Sequence, residues 1–244
     1  MNRDTTKIAI KKAASSGPNA LPILKKKVVA SEPPAEGTGL RLAIYQGPGL
    51  CGDRKAIEYN LKNLASWAEK ASKEKAQLLG VAELFLCGYN IRPNDREAAA
   101  VTMEEARDLI VPIAIENNIS LLVPYAEKII NDTKMFDSMI LVDEKGVVIT
   151  NYRKTQLWGH DEKTVWQYPY VEDPENAYKV VKVNGMNVGL LNCCKHIVTD
   201  FVGCFNDFPI ISQLLLNSML SLDEAEFPEL NRILALKVRK LNIE

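Results

Sequence analysis

The run AYKVVKVNGMNVGLLNC, residues 177–193, decides how this chain is read. Its two apolar arms meet at Asn184-Gly185, the strongest short-range signal for a two-residue β-hairpin. The second arm ends on a thiol, Cys193, with Cys194 and Lys195 directly after it. Working outward, the same pattern of an apolar strand closing on a reactive side chain occurs twice more. QLLGVA (77–82) ends on Glu83. SMILVDEKGVVITNYRK (138–154) reads as two strands joined at Glu144-Lys145-Gly146, and the second ends on Lys154.

Between these strands the periodicity changes. LRLAIYQ (40–46) is strand-like and stops at Gly47-Pro48-Gly49. In AIEYNLKNLASWAEKAS (56–72), Ile57, Leu61, Leu64, Ala65, Ala68 and Ala71 recur at three- and four-residue spacing, which predicts an amphipathic helix. A second such helix is expected over about residues 96–117, and ISLLVPYAE (119–127) reads as another strand. Strand, helix, strand, helix and then paired strands predict a mixed α/β domain with helices covering a sheet.

Composition narrows the function classes. Of the 244 residues, 47% are hydrophobic and 25% charged, ordinary for a globular domain with a sizeable core. Thirty basic residues against 31 acidic ones give a net charge of −1, and no basic stripe is interleaved with aromatics, so nucleic-acid binding is not expected. The five cysteines have no framework spacing and no apolar signal segment precedes them, which predicts reduced thiols in a soluble, cytoplasmic protein. Two histidines, His160 and His196, and no Cys-x-x-Cys pair argue against zinc, and no metal or organic cofactor is expected. No run reaches the roughly 18 apolar residues of a membrane span. Residues 1–39 carry Lys11-Lys12, Lys25-Lys26-Lys27 and a Pro/Gly/Glu-rich end, and are expected to form a flexible basic tail and linker; their single Arg favours a solvated tail over an organelle-targeting signal. The domain proper is expected over 40–244.

In open α/β sheets, ligand sites gather beyond the carboxyl ends of strands. A thiol to attack a carbonyl carbon, a carboxylate to take and return protons and an ammonium to stabilise an oxyanion form the set that amide chemistry uses. Taken singly, each has an ordinary reading: a small buried thiol, a helix-start or surface carboxylate, a solvated lysine.

The local wording around all three changes that balance. RLAIYQGPGLCGDRKAIEYNL, VAELFLCGYNI, NYRKTQLWGHDEK and VGLLNC, in that order, resemble the nitrilase superfamily of carbon–nitrogen hydrolases, in particular its aliphatic amidase-like branches. The resemblance runs from about Leu40 to Cys193. It implies that Glu83 is the general base, Lys154 the oxyanion-stabilising lysine and Cys193 the nucleophile, with Glu162 of HDEK a supporting second glutamate that positions the lysine and substrate. It also implies a four-layer αββα sandwich, assembly into homo-oligomers, a small-molecule amide as substrate, and hydrolysis through a thioester.

Two departures follow Cys193. The family's next segment, an acidic stretch with Phe-Pro-Glu opening a helix, occurs displaced at Glu226-Phe227-Pro228-Glu229, so 194–222 reads as an insertion, an unspliced intron or alternative exon beside the nucleophile. The chain also stops soon after Lys237, so the sandwich is expected to be incomplete at its C-terminus. The competing expectation is a catalytically inactive truncated chain that acts through partner binding. Cys204 is expected to be no substitute nucleophile, because Ile210 stands where the glutamate should; Cys51 and Cys87 read as a loop thiol and a packing residue near the site.

Overall fold

The computed structural model describes residues 32–45, 49–52, 54–89, 96–155, 157, 159–169, 180–190, 192 and 212–214. Cys193, Cys204, most of the expected insertion over 194–222, the helix expected at 226–237 and the tail through residue 31 lie outside the described residues.

The elements run β1 (Leu42–Ile44), α1 (Arg54–Lys73), β2 (Leu78–Gly80), α2 (Arg96–Ala99), α3 (Met103–Asn117), β3 (Ser120–Lys128), β4 (Met135–Val142), β5 (Val148–Arg153), α4 (Gly159–Val165), β6 (Val180–Val183), β7 (Met186–Leu190) and β8 (Ser212–Leu214). They build two sheets, one ordered β1-β2-β3-β4-β5 and one β6-β7-β8. In the first, β1, β2 and β3 are parallel and β4 and β5 antiparallel to their neighbours. The parallel half needs crossovers, which α1 and the α2–α3 segment supply.

Alternation along the strands sorts the side chains into two cores. Leu79, Leu121, Val123, Tyr125, Ile140 and Val142 face the helices and meet Ile57, Leu64, Trp67 and Ala68 of α1 and Ile110 and Ala114 of α3. Leu78, Leu122, Met139, Leu141 and Tyr152 face the other way, onto Val183, Val188 and Leu190 of the β6–β7 hairpin. Every residue of β3 up to Glu127 is buried because both of its faces are covered, which is why ISLLVPYAE is an unbroken apolar run. The described residues thus form helix, sheet and sheet layers of a mixed α/β sandwich. Among them no helix is long and apolar enough to cross a membrane.

The Asn184-Gly185 turn has both residues at positive φ, 49° and 74°, as a type I′ hairpin requires. Part of the expected linker lies against it: the Gly37 N–H donates to Asn184 O at 2.9 Å, and Asn184 Nδ2 donates to Gly39 O at 3.3 Å. The helix expected over 96–117 is divided. Val101 pairs with the end of β3, its N–H donating to Ala126 O and its carbonyl accepting from Lys128 N, both at 3.0 Å. A residue held in that bridge cannot continue a helix, and Thr102 then starts α3 afresh through a capping box with Glu105.

Asn60 is a polar residue on the buried face of α1, at a position the apolar pattern passes over. Its Oδ1 accepts from Leu50 N at 2.7 Å, and its Nδ2 donates to Leu50 O at 2.8 Å and Leu86 O at 3.0 Å. The loop after β1 is thereby tied to the turn that carries Glu83. Gly49 sits in the same seam, where an added Cβ would lie 1.9 Å from Phe85 O and 2.8 Å from its carbonyl carbon. Both are backbone atoms, so Gly49→Ala is expected to lower stability by about 3 kcal/mol, the upper end of overpacking costs. Urea unfolding checks this, and an unchanged midpoint would show that the 83–87 turn yields.

Candidate active site

Beyond the end of β2 the chain enters a turn at residues 83–87 in which every residue from Val81 to Gly88 is buried. Leu84 adopts φ +52°, a left-handed conformation that costs a non-glycine residue on the order of 1–3 kcal/mol and persists only where its surroundings impose it. Here the Leu84 carbonyl accepts from Cys87 N at 3.1 Å and Gly88 N at 2.7 Å, while Leu86 N donates to Pro124 O at 3.1 Å. Glu83, only 2% exposed, is held at the head of this turn.

Lys154 follows β5, and its N–H donates to Asp137 O of β4 at 2.7 Å, extending the ladder by one step. Its side chain is 1% exposed. The third group arrives on α4, a short helix over Gly159–Val165 that the apolar periodicity of the sequence did not signal. Leu157 and Trp166, on either side of α4, pack with Leu84 and Cys87 in one apolar cluster, so the helix is fastened to the Glu83 turn.

These elements converge on the Lys154 ammonium. It donates to Glu83 Oε1 at 2.7 Å and to both carboxylate oxygens of Glu162, Oε1 at 2.9 Å and Oε2 at 2.8 Å. Tyr89 OH donates to Glu162 Oε1 at 3.0 Å. Burial alone would pull the lysine's pKa down, but the carboxylates around it, Glu83 first, more than offset it and hold the group above its ordinary value. The ammonium is therefore a fixed positive charge at neutral pH. Burial, followed by the charges of Glu83 and Glu162, raises the Tyr89 hydroxyl as well, so it stays protonated.

Of the expected site residues, Glu83, Lys154 and Glu162 are brought together, and Cys193 lies outside the described residues. The described chain comes up to it at Asn192, which is buried and donates from Nδ2 to Asp137 Oδ1 at 2.9 Å. Asp137, Asn192 and Tyr89 are site residues that the sequence reading missed. The available signal was an acid, Asp137, inside the mainly apolar run MFDSMILV of β4. Cys51 is exposed in the loop after β1, whereas Cys87 is buried and its thiol is pushed up to about 12 by burial, which makes it inert at neutral pH. Among the described residues no group of three or more His, Cys, Asp or Glu side chains is arranged to hold a metal ion, and the lysine occupies the centre of the carboxylates.

A buried ammonium between two carboxylates, on a turn and a strand end of an α/β sheet, suits a reaction in which negative charge develops on oxygen and protons move beside it. Comparison with known proteins agrees with that chemistry. The carbon–nitrogen hydrolase family profile matches residues 41–202. A hydrolase of the pqqF 5′ region of Pseudomonas protegens is 30% identical over 159 residues, covering 63% of this chain and 50% of that protein. The chain thus spans about half the length of this curated relative. A crystal structure of an amidase from Nesterenkonia sp. superposes with a TM-score of 0.55 at 28% identity, over 64% of this chain and 56% of that one. A variant of the Nesterenkonia sp. AN1 amidase showing Michael addition of acrylamide at its active-site cysteine gives 0.52 at 27%, over 64% and 57%. Another variant of it, in complex with butyramide, gives 0.50 at 26%, over 64% and 57%.

Proposed function

Because the chain belongs to the carbon–nitrogen hydrolase family, we propose that its reaction is hydrolysis of a small carboxamide, with Glu83, Lys154 and Cys193 as the catalytic set and Glu162 in support. The observation that carries this reading is the buried Glu83–Lys154–Glu162 cluster, in which all three ammonium protons are engaged. Such a group cannot reorient when charge develops beside it. A positive charge preorganised in this way stabilises a neighbouring oxyanion electrostatically, with no reorganisation at the moment of reaction.

In the proposed sequence the Cys193 sulfur attacks the amide carbon while its proton passes to Glu83. The C–S bond forms, the carbonyl π-electrons move onto oxygen, and the Lys154 ammonium stabilises that oxyanion. Collapse breaks the C–N bond; Glu83 returns its proton to the nitrogen, which leaves as ammonia. Water then attacks the thioester, giving its proton to Glu83, and the carboxylic acid departs as the thiol is regenerated. Glu162, chelating Lys154 through both oxygens, sets the direction in which the ammonium points. The relatives that bind butyramide or add acrylamide support a short aliphatic amide as the substrate class, and a homo-oligomer is the proposed assembly of the complete enzyme.

Iodoacetamide, a cysteine electrophile built on an acetamide frame, tests the assembly of the site. Mass-resolved labelling is expected to modify Cys193 at least about tenfold faster than exposed Cys51, as an activated thiol next to a cation requires, with Cys87 unlabelled. Butyramide is expected to release ammonia under the same conditions. Equal labelling of Cys193 and Cys51 with no ammonia would replace this proposal with that of an inactive chain acting through partner binding.

A further inference from the structure

Asp137 has no part in the steps above, yet it is only 1% exposed and reaches the same cluster. Its Oδ1 accepts from Asn192 Nδ2 at 2.9 Å. Its Oδ2 is buried and has no hydrogen-bond partner among the described residues. The nearby cation, Lys154 Nζ, is 3.6 Å away.

A count of protons decides what that oxygen can be. An ammonium has three protons, and those of Lys154 go to Glu83 Oε1 and to the two oxygens of Glu162. None remains for Asp137. An ionised Asp137 would be a third carboxylate around one cation, with one buried oxygen lacking a donor among the described residues, which is an expensive way to bury a charge. Glu83 and Glu162 each accept a charged hydrogen bond from Lys154; the donor to Asp137 is the neutral amide of Asn192, and its carboxyl lies within hydrogen-bonding reach of Glu83.

We infer that Asp137 is a neutral carboxylic acid with its proton on Oδ2, and that it is a positioning residue which takes up the site's extra proton so that Glu83 stays ionised. For its catalytic consequence this rests on the amidase reading; for its protonation it does not. The groups facing it agree with the assignment. Burial raises the Asp137 pKa well above the usual aspartate value, the charge of Glu83 from the turn after β2 raises it further, Lys154 from the end of β5 opposes them, and Glu162 from α4 adds to the rise. Cys87 in the same turn is a protonated thiol. With Asp137 neutral, the cluster holds two carboxylates and one ammonium, and Glu83 is ready to accept a thiol proton without first losing its own.

Infrared spectroscopy of the full chain reads the protonation directly. At neutral pH the carbonyl stretch of a protonated carboxyl is expected, shifted in D2O, absent in Asp137→Asn and retained in Glu162→Gln. Absence of this band from the wild-type protein overturns the inference, whether or not any amide is hydrolysed and whether or not the variants fold. On ammonia release from butyramide, Asp137→Ala is expected to lower kcat by about 100-fold through misplacement of its neighbours. Asp137→Asn, which preserves a neutral group of the same shape, is expected to recover at least about tenfold of that loss, with the alkaline limb of the kcat/KM profile displaced. Asparagine performing no better than alanine would overturn the positioning role. A wild-type chain that shows the band and no turnover would support the protonation and reject the amidase reading.

Discussion

Lys154→Met is expected to destabilise the fold by about 3–5 kcal/mol, the cost of removing one partner from a buried ion cluster. Methionine fills similar volume, so the loss comes from charge and not from a cavity. Glu83 and Glu162 would keep their burial and lose the ammonium that both hydrogen-bond. In the wild type the folded-state pKa of Lys154 lies above its ordinary value of 10.5, so its contribution is fully present below that value and is lost only as pH rises through the raised one. Across neutral pH the lysine's contribution is flat. In the variant the two carboxylates stay buried without that counter-charge. Urea unfolding midpoints measured at about pH 7 should therefore lie well below the wild-type midpoint in Lys154→Met. A midpoint no lower than that of Lys163→Met, an exposed position on α4, would contradict the account of the cluster.

Glu83→Gln is expected to reduce amide turnover by about 10²–10⁴-fold, the usual contribution of a general acid–base group, with a much smaller effect on stability. Glutamine can still accept from Lys154, and Glu162 continues to neutralise it. The two functions of Cys193 should then separate. Alkylation by iodoacetamide expels iodide, its thiol proton can pass to solvent, and no proton has to be returned to a leaving amine, so it should continue in the variant. Amide hydrolysis needs that proton twice, once for the nitrogen and once for the sulfur, so it should fail. Ammonia release and labelling measured on one sample read both. Turnover within about threefold of the wild type would remove Glu83 from the proton-transfer role.

What could be read from the sequence was what depends on neighbours along the chain. The β6–β7 hairpin followed from Asn184-Gly185 because a type I′ turn is a local conformational preference, and it formed where expected. The buried strand over Ser120–Lys128 was legible as a continuous apolar run, and α1 as a 3.6-residue period. What escaped depends on partners far away in sequence. The break before α3 arises because Val101 pairs with β3, some 25 residues later (Ala126 and Lys128), and the one local sign of it, the Thr102–Glu105 capping box, was not used. Asn60 was passed over because its partners, Leu50 and Leu86, come from two separate loops. In the site, Glu83 and Lys154 were legible as strand ends and Glu162 through the resemblance, and the structure joins all three. Asp137 and Asn192 were not, since their significance lies in a bond between β4 and the end of β7, 55 residues apart.

The separation between Glu83 and Lys154, 71 residues along the chain, also bears on the order in which the molecule assembles. Closing so long a loop costs entropy before any contact rewards it, and the parallel pairings of β1, β2 and β3 each close long loops of their own. The hairpins β4–β5 and β6–β7 can form early by local encounter. The lysine and its glutamates must shed water to meet, which is unfavourable until the surrounding strands have enclosed them. The charged cluster is therefore a late event in folding, and the chain acquires its chemistry only after most of its architecture is complete.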